Sequence, residues 1–134
     1  MSASNARELV ILDAEFGSGA PATWYIGLST TTPDDAGASF TEPAGGAYAR
    51  AAVTNNATNF PAATTVSGVG TKKNGTAVTF PTATANWGTI THLGLFTASS
   101  GGTPAYTQAL DASTPVNNGD TASFAANAIS LTAD

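Results

Sequence analysis

The first hydrophobic pattern along the chain has the period of an α-helix, with apolar side chains at Leu9, Leu12 and Phe16. Ser4 or Asn5 can cap this segment, and Asn5 and Glu8 have the spacing of a capping box. Gly17 follows as a natural helix stop. The pattern therefore predicts a short N-terminal helix over about 5–16.

Downstream of this helix, apolar and polar residues alternate with the period of two that is typical of half-buried strands. In residues 22–30, Trp24, Ile26 and Leu28 point to one face, so they are expected in the core. Further strands are predicted at 48–54, 76–80, 88–98, 104–110, 121–125 and 128–133. Turn-forming residues separate them at roughly ten-residue spacing. The chain is therefore predicted to be mainly β, a single antiparallel β-sandwich or jelly-roll-like domain over 1–134 with a short N-terminal helix.

The same alternation assigns inward positions and connections. In the strand at 48–54 the inward residues are Ala49, Ala51 and Val53, and in the strand at 88–98 His92 shares a face with Ile90, Gly94 and Phe96. Residues 55–75 are predicted to be mostly connection, ending in KKNG as a hairpin turn. The N-terminal helix is expected to bury its apolar side chains against its own domain.

Residues 30–48 form a predicted loop that is dense in turn formers. A loop of this length in a compact domain is unusual unless it has a function. Phe40 either packs on its own domain or anchors the loop in a partner. The acidic residues can meet basic groups on a partner, and the alternative is that Arg50 pairs internally with one of them. We predict the first arrangement, a contact with a neighbouring subunit through Phe40, Asp34, Asp35 and Glu42.

Composition restricts the possible partners. Charged residues make up 10% of the chain, against about 25% in an average soluble domain, and the net charge is −5 at pH 7. This acidic balance argues against binding to nucleic acid. No apolar run reaches the roughly 20 residues that cross a bilayer, so no membrane is expected. The N-terminus MSASNAREL has no secretory signal pattern, so we expect the chain to fold in a cytoplasm.

Candidate catalytic and metal-binding residues lack partners in the sequence. His92 is the single histidine, and its local neighbours include threonines but no orienting carboxylate. The chain has no cysteine, and one histidine excludes the common zinc arrangements. Asp34 and Asp35 lie in a loop without the pattern of a calcium-binding loop. We therefore predict no enzymatic activity, no metal and no cofactor.

The aromatic residues permit a different function. Trp24, Tyr25 and Trp87 can stack on sugars if they are exposed, although the alternation around Trp24 favours a core position. Trp87 follows Asn86 at a turn, where it either caps the end of the sandwich or lies in a subunit contact. A carbohydrate-binding module would need Trp87 or Tyr106 exposed beside polar groups.

Several motifs together resemble a family of small virion structural proteins of tailed bacteriophages, labelled tail-fibre-like or head decoration proteins. The matching segments are Trp24–Pro33, Gly45–Arg50, Phe80–His92, Gly94–Gly102 and Gly119–Leu131. They read WYIGLSTTTP, GGAYAR, FPTATANWGTITH, GLFTASSGG and GDTASFAANAISL. The likeness covers nearly the whole chain, and the combination is specific although each piece alone is not.

The resemblance implies a non-enzymatic virion structural protein that assembles in the host cytoplasm. Low charge suits close contacts between many copies. The chain has no heptads or triplets for a fibre stalk. We therefore expect a capsid decoration (cement) protein that binds the major capsid protein as a dimer or trimer. The alternative is a tail-fibre, baseplate or tail-tip component, with a possible carbohydrate or receptor-binding role.

Overall fold

A computed structural model of the chain describes residues 4–133, and the side chains of residues 4–132. The elements in order are α1 Asn5–Glu15, β1 Thr23–Ser29, β2 Ala51–Thr54, β3 Thr64–Val66, β4 Val69–Lys73, β5 Val78–Thr79, β6 Gly88–Phe96, β7 Tyr106–Val116, β8 Ser123–Phe124 and β9 Ser130–Ala133. The pairs β1–β6, β3–β4, β4–β9 and β6–β7 are antiparallel. The predicted fold class, mainly β and antiparallel with one short N-terminal helix, is confirmed.

The described chain divides into two compact units. The helical unit comprises the described residues of Met1–Thr23, Val53–Ala77 and Phe124–Asp134. The sheet unit comprises Trp24–Ala52 and Val78–Ser123. Because each unit contains separate chain segments, neither is a continuous stretch that can be cut out. The prediction of a single domain over 1–134 implies that the two units unfold together, and this stays a prediction.

The helix of the helical unit begins and ends close to its predicted bounds. The Ser4 hydroxyl accepts a hydrogen bond from the Arg7 backbone N–H at 3.4 Å, so Ser4 is the N-cap. The predicted capping box is not formed, because the Glu8 carboxylate instead accepts a hydrogen bond from the Gly70 N–H at 2.6 Å. Leu12 and Phe16 are fully buried as α1 packs on β4 and β9. The expectation that the helix packs on its own chain is confirmed.

A hairpin corrects the prediction that residues 55–75 are mostly connection. β3 and β4 pair around Ser67 and Gly68, with Val66 opposite Val69. Both turn residues have positive φ, 51° at Ser67 and 82° at Gly68, the combination that a two-residue type I′ turn requires. The sequence signal was VSGV preceded by two threonines, a Ser-Gly pair between β-branched residues.

The Gly68 position provides a prediction for this hairpin. A Cβ at Gly68 would meet no atom within 4 Å, so the cost of Gly68→Ala is that of the backbone conformation alone. We expect a loss of about 1–2 kcal/mol in the free energy of unfolding, measured by urea denaturation. Ser67→Asn is the matched variant, because asparagine tolerates positive φ better than serine, and it should leave stability unchanged or slightly higher. Equal losses in both variants would contradict this turn geometry.

The KKNG segment does not form a hairpin turn, which corrects a second prediction: Lys72 and Lys73 belong to β4, and Lys72 and Asn74 are buried. The Lys72 side chain is 2% exposed, and its Nζ donates to Asp13 Oδ1 at 2.8 Å. Burial of Asp13 is outweighed by this bond and by the Ala63 N–H, so the pKa of Asp13 lies below its usual value. Asn74 is 1% exposed and binds backbone groups of three other residues. The side chains of Lys72 and Asn74 are therefore part of the interior of the helical unit.

The sheet unit contains β6, β7 and the parts of β1 and β2 within its bounds, which belong to a sheet of strand order β2-β1-β6-β7, and it contains β5, which belongs to the pair β5-β8. β1 and β6 are central strands, and Trp24, Ile26 and Leu28 are buried as predicted. β2 is shorter than predicted and begins at Ala51. Ala49 precedes it and is exposed, so its predicted inward position is wrong.

A bulge changes the predicted faces of β6. The register shifts between Ile90 and His92, because Ile90 pairs with Thr114 whereas His92 pairs with Ala109. After the bulge, the residues from Leu93 to Phe96 are all buried. His92, for which simple alternation predicts a face shared with Ile90, Gly94 and Phe96, is only half-buried, whereas these three residues are buried. Both faces of the second half of β6 are therefore covered.

Candidate functional site

The cover on one face of the central strands is the 30–48 loop itself. Gly27 of β1 and Gly94 of β6 are register partners. A Cβ at Gly27 would lie 2.8 Å from Glu42 Oε1, and one at Gly94 would lie 2.7 Å from Phe40 Cε2. Paired glycines therefore leave the space in which the loop side chains lie directly on the sheet.

Glu42 and Arg50 form a bidentate ion pair in this space. Arg50 Nε donates to Glu42 Oε1 at 2.8 Å and Nη2 donates to Oε2 at 2.9 Å. The Arg50 Nη1 donates to the Ala98 carbonyl at 2.8 Å, and the guanidinium carbon lies 3.4 Å from the centroid of the Phe96 ring. Only 3% of the Arg50 side chain is exposed, against 25% for Glu42. Arg50 is thus the buried centre of the network.

Tyr48 connects this ion pair to the sheet. Its hydroxyl donates to Glu42 Oε1 at 2.7 Å and accepts from the Leu28 N–H at 3.0 Å. Burial, together with the hydrogen bond to the Glu42 carboxylate, raises the pKa of Tyr48 well above its usual value. The ring packs edge-on against Trp87 at 5.2 Å between centroids. The tyrosine therefore stays protonated and acts as a fixed hydrogen-bond donor.

Glu42 is held in its charged form by the same contacts. Burial acts to raise its pKa, but the hydrogen bonds from Arg50 and Tyr48 outweigh burial and place the pKa below the usual value of 4.5. A depressed pKa means that the network stabilises the fold above the unfolded-state pKa, and that this stability is lost as pH falls through the folded-state pKa.

We therefore expect Glu42→Gln to cost about 2 kcal/mol at neutral pH, because the charge-assisted hydrogen bonds to Arg50 are weakened. The difference in free energy of unfolding between the parent and Glu42→Gln should shrink as the pH falls below 4.5. Urea denaturation at a series of pH values measures this difference. A gap that stays constant across the series would show that the Glu42 charge does not stabilise the fold.

The residues predicted for a subunit interface occupy different environments. Phe40 packs edge-on against Phe96, with 5.2 Å between ring centroids, and is half-buried. Trp87 is 5% exposed, and its Nε1 donates to the Gly46 carbonyl at 2.8 Å. Asp34 Oδ1 accepts from two N–H groups of its own turn, whereas Asp35 is exposed. Phe40 and Trp87 thus pack within their own chain, which was the alternative to a subunit contact. A contact of the loop with a neighbouring subunit stays a prediction.

The residues considered for catalysis, metal binding and sugar stacking have the following surroundings in the described part of the chain. His92 Nδ1 lies 2.8 Å from Thr91 Oγ1. No group of three or more His, Cys, Asp or Glu side chains within residues 4–132 could hold a metal ion. Trp24 is buried, and Tyr106 is half-buried and packs edge-on against Trp24. The aromatic side chains singled out in the sequence therefore do not form a flat exposed platform for sugars.

A cavity lies beside the ion pair and was missed by the sequence reasoning. It has a volume of about 300 Å³. Its lining residues are Glu42, Pro43, Tyr48, Ala49, Arg50, Ser99, Ser100 and Gly101. The available signal was the GGAYAR segment, in which Tyr48 and Arg50 are two residues apart and so lie on one side of an extended chain. Their meeting with Ser99 and Ser100 required the fold.

Across residues 4–133, no helix is both long and apolar enough to span a bilayer.

Comparison with known proteins gives one family and no curated relative. The model of a family described as podophage GP4 fiber I protein gp80 matches residues 2–132. No curated protein matches the chain. The family is one of fibre-like phage virion structural proteins, which confirms the resemblance seen in the sequence motifs. The chain belongs to the podophage GP4 fiber I protein gp80 family, a family of fibre-related structural proteins of the bacteriophage virion.

Proposed function

We propose that this protein is a non-enzymatic structural component of a podophage fibre. The observation that carries the proposal is the family match, which extends over residues 2–132 and therefore covers both units. The family's description names a fibre protein. It favours the fibre alternative over the capsid decoration role that we expected from the resemblance.

The use of the charged side chains supports a structural role. Glu42 and Arg50 fix the loop on the sheet, and Asp13 and Lys72 fix the helix on its sheet. Groups committed to such contacts cannot move protons in a reaction without weakening the fold. Such internal ion pairs suit a structural protein that has no catalytic function.

The partners follow from the proposed position. In a fibre, this chain contacts at least one other virion protein. The N-terminal half of the exposed 30–48 loop, with Asp34 and Asp35, offers acidic groups for basic residues on that partner. Assembly as a homodimer or homotrimer in the host cytoplasm completes the proposal, because virion parts are built from repeated copies.

Copy number per particle separates a fibre from a head decoration. Purified particles are resolved by gel electrophoresis, and the band of this protein is quantified against the major capsid protein. A fibre component should be present in a small fraction of the copies of the capsid protein, whereas a decoration protein on the capsid lattice should approach a fixed simple ratio to it.

Location provides a second test of the same proposal. Gold-labelled antibodies against the purified protein should label the fibre region of intact particles by electron microscopy. Labelling spread over the head surface, together with a simple ratio to the capsid protein, would overturn the fibre proposal and restore the decoration role.

A further inference from the structure

The cavity beside Glu42 and Arg50 is open to solvent and has room for a small ligand. Its volume of about 300 Å³ lies at the small end of the range of about 300–1,000 Å³ for ligand pockets. Its lining includes both residues of the bidentate ion pair and Tyr48, whose hydroxyl donates to Glu42. Ser99, Ser100 and Gly101 are exposed, so the cavity opens to solvent on their side. We propose that this cavity binds a neutral saccharide unit, such as the terminal residue of a glycan.

The charge of the wall favours a neutral ligand. Glu42 and Arg50 neutralise each other through two hydrogen bonds. They are the charged residues among those that line the cavity, so the cavity has no net charge with which to attract an anion or a cation. A neutral ligand loses no ionic hydration on entering such a site.

The remaining hydrogen-bonding capacity matches hydroxyl groups. Glu42 Oε2 accepts from Arg50 and keeps a further lone pair, while 25% of the Glu42 side chain remains exposed. The hydroxyls of Ser99 and Ser100 can each donate and accept. Acceptors and two-way groups placed side by side suit a ligand whose own groups both donate and accept, as sugar hydroxyls do.

The apolar parts of the lining match the C–H groups of a sugar ring. Pro43, Ala49 and Tyr48, which carry apolar groups, are among the lining residues. The C–H groups of a pyranose ring can pack on such apolar groups while its hydroxyls reach the polar groups. Because Tyr48 is anchored to the Leu28 N–H and to Glu42, the wall is fixed before the ligand arrives, which lowers the entropic cost of binding.

This inference does not rest on the proposed position in a fibre. Copy number and labelling can fail while the cavity still binds sugars, and the reverse also holds. The two tests therefore report independently.

Binding is tested by nuclear magnetic resonance on the isotope-labelled full chain. The probes are the methyl glycosides of glucose, galactose, mannose and N-acetylglucosamine, with inorganic phosphate and methylammonium as charged probes. At least one glycoside should cause saturable shifts of the Ser99, Ser100 and Gly101 amides and of Arg50 Nε. We expect a Kd in about the millimolar range, because a single sugar makes few contacts.

Substitution at the mouth provides the matched comparison. Ser100→Trp should fill the cavity and weaken glycoside binding by about tenfold or more, whereas Ser113→Trp, on the exposed part of β7, should not change it. If Ser100→Trp fails to fold, the double variant Ser99→Ala with Ser100→Ala removes the hydroxyls without adding volume and should weaken binding in the same direction.

Three results would overturn the proposal. These are the absence of saturable shifts with every glycoside, glycoside binding that is unchanged by the substitutions at Ser99 and Ser100, and tighter binding of phosphate or methylammonium than of any glycoside. The last result would mean that the ion pair opens to receive a charged ligand, which contradicts a neutral cavity.

Discussion

Replacing Arg50 by alanine should lower the free energy of unfolding by about 3 kcal/mol. Removing one partner of a buried ion pair costs about 3–5 kcal/mol, because the other charge stays behind without compensation. Here the remaining charge is Glu42, which is 25% exposed and can be partly hydrated, so the lower end of that range applies. The lost packing of the guanidinium on Phe96 adds to the cost.

The Arg50→Lys variant separates the contribution of the positive charge to stability from that of the bidentate geometry. Lysine keeps the positive charge but cannot form the bidentate pair or the flat contact with Phe96, so it should recover less than half of the loss. Lys73→Ala, at an exposed lysine, is the control and should change stability by less than about 0.5 kcal/mol.

Tryptophan fluorescence during urea denaturation measures these variants, because Trp24 and Trp87 both lie in the sheet unit with Arg50. Full recovery in Arg50→Lys would show that charge alone, and not the fork geometry, holds the loop. An unchanged midpoint in Arg50→Ala would mean that the network does not stabilise the sheet unit.

The sequence predicted the structure best where a local pattern is enough to determine the element. Helical spacing and a capping serine placed α1 correctly, and the alternation around Ile26 placed β1. The hairpin at Ser67 and Gly68 was missed because its strands are short and carry threonine, lysine and glycine instead of large apolar residues. Their stability comes from pairing and from α1 packing on them, and neither is visible in a local pattern.

The site was harder to predict than the fold. Glu42 was chosen as a residue that binds a partner, and its internal pairing with Arg50 was the alternative. The deciding feature is the pair Gly27 and Gly94, which are far apart in sequence and adjacent only once β1 and β6 have paired. A single sequence shows two isolated glycines, whereas the structure shows space for a loop.

Replacing Asn74 by alanine should lower the free energy of unfolding by about 3–4 kcal/mol. Its Nδ2 donates to the carbonyls of Thr76 and Ala125, and its Oδ1 accepts from the Ile129 N–H at 2.9 Å. The Ile129 N–H is buried, so leaving it without a partner costs about 1–3 kcal/mol. Ala125 is exposed, so water can partly replace its lost bond. Asn118→Ala, at an exposed asparagine, is the control and should have little effect.

Asn74→Asp tests the two donated bonds separately at nearly constant volume. The introduced carboxylate can still accept from Ile129, but its second oxygen faces the two carbonyls. Burial and these carbonyls should raise the folded-state pKa of the introduced carboxyl group above its unfolded value. Stability relative to the parent should therefore be lowest at neutral pH and should recover as the pH falls through that raised pKa. A deficit that does not depend on pH would mean that water hydrates this position.

Asn74→Ala also tests whether the chain is one cooperative domain. Asn74 lies in the helical unit, whereas both tryptophans lie in the sheet unit. The single-domain prediction expects tryptophan fluorescence and far-ultraviolet circular dichroism to show the same transition, shifted equally by the substitution. If the two units unfold separately, the fluorescence midpoint should stay at the parent value, while hydrogen exchange speeds up at the β4 amides and at Ile129. The second outcome would limit the effect of Asn74 to the helical unit and contradict the prediction of a single domain over 1–134.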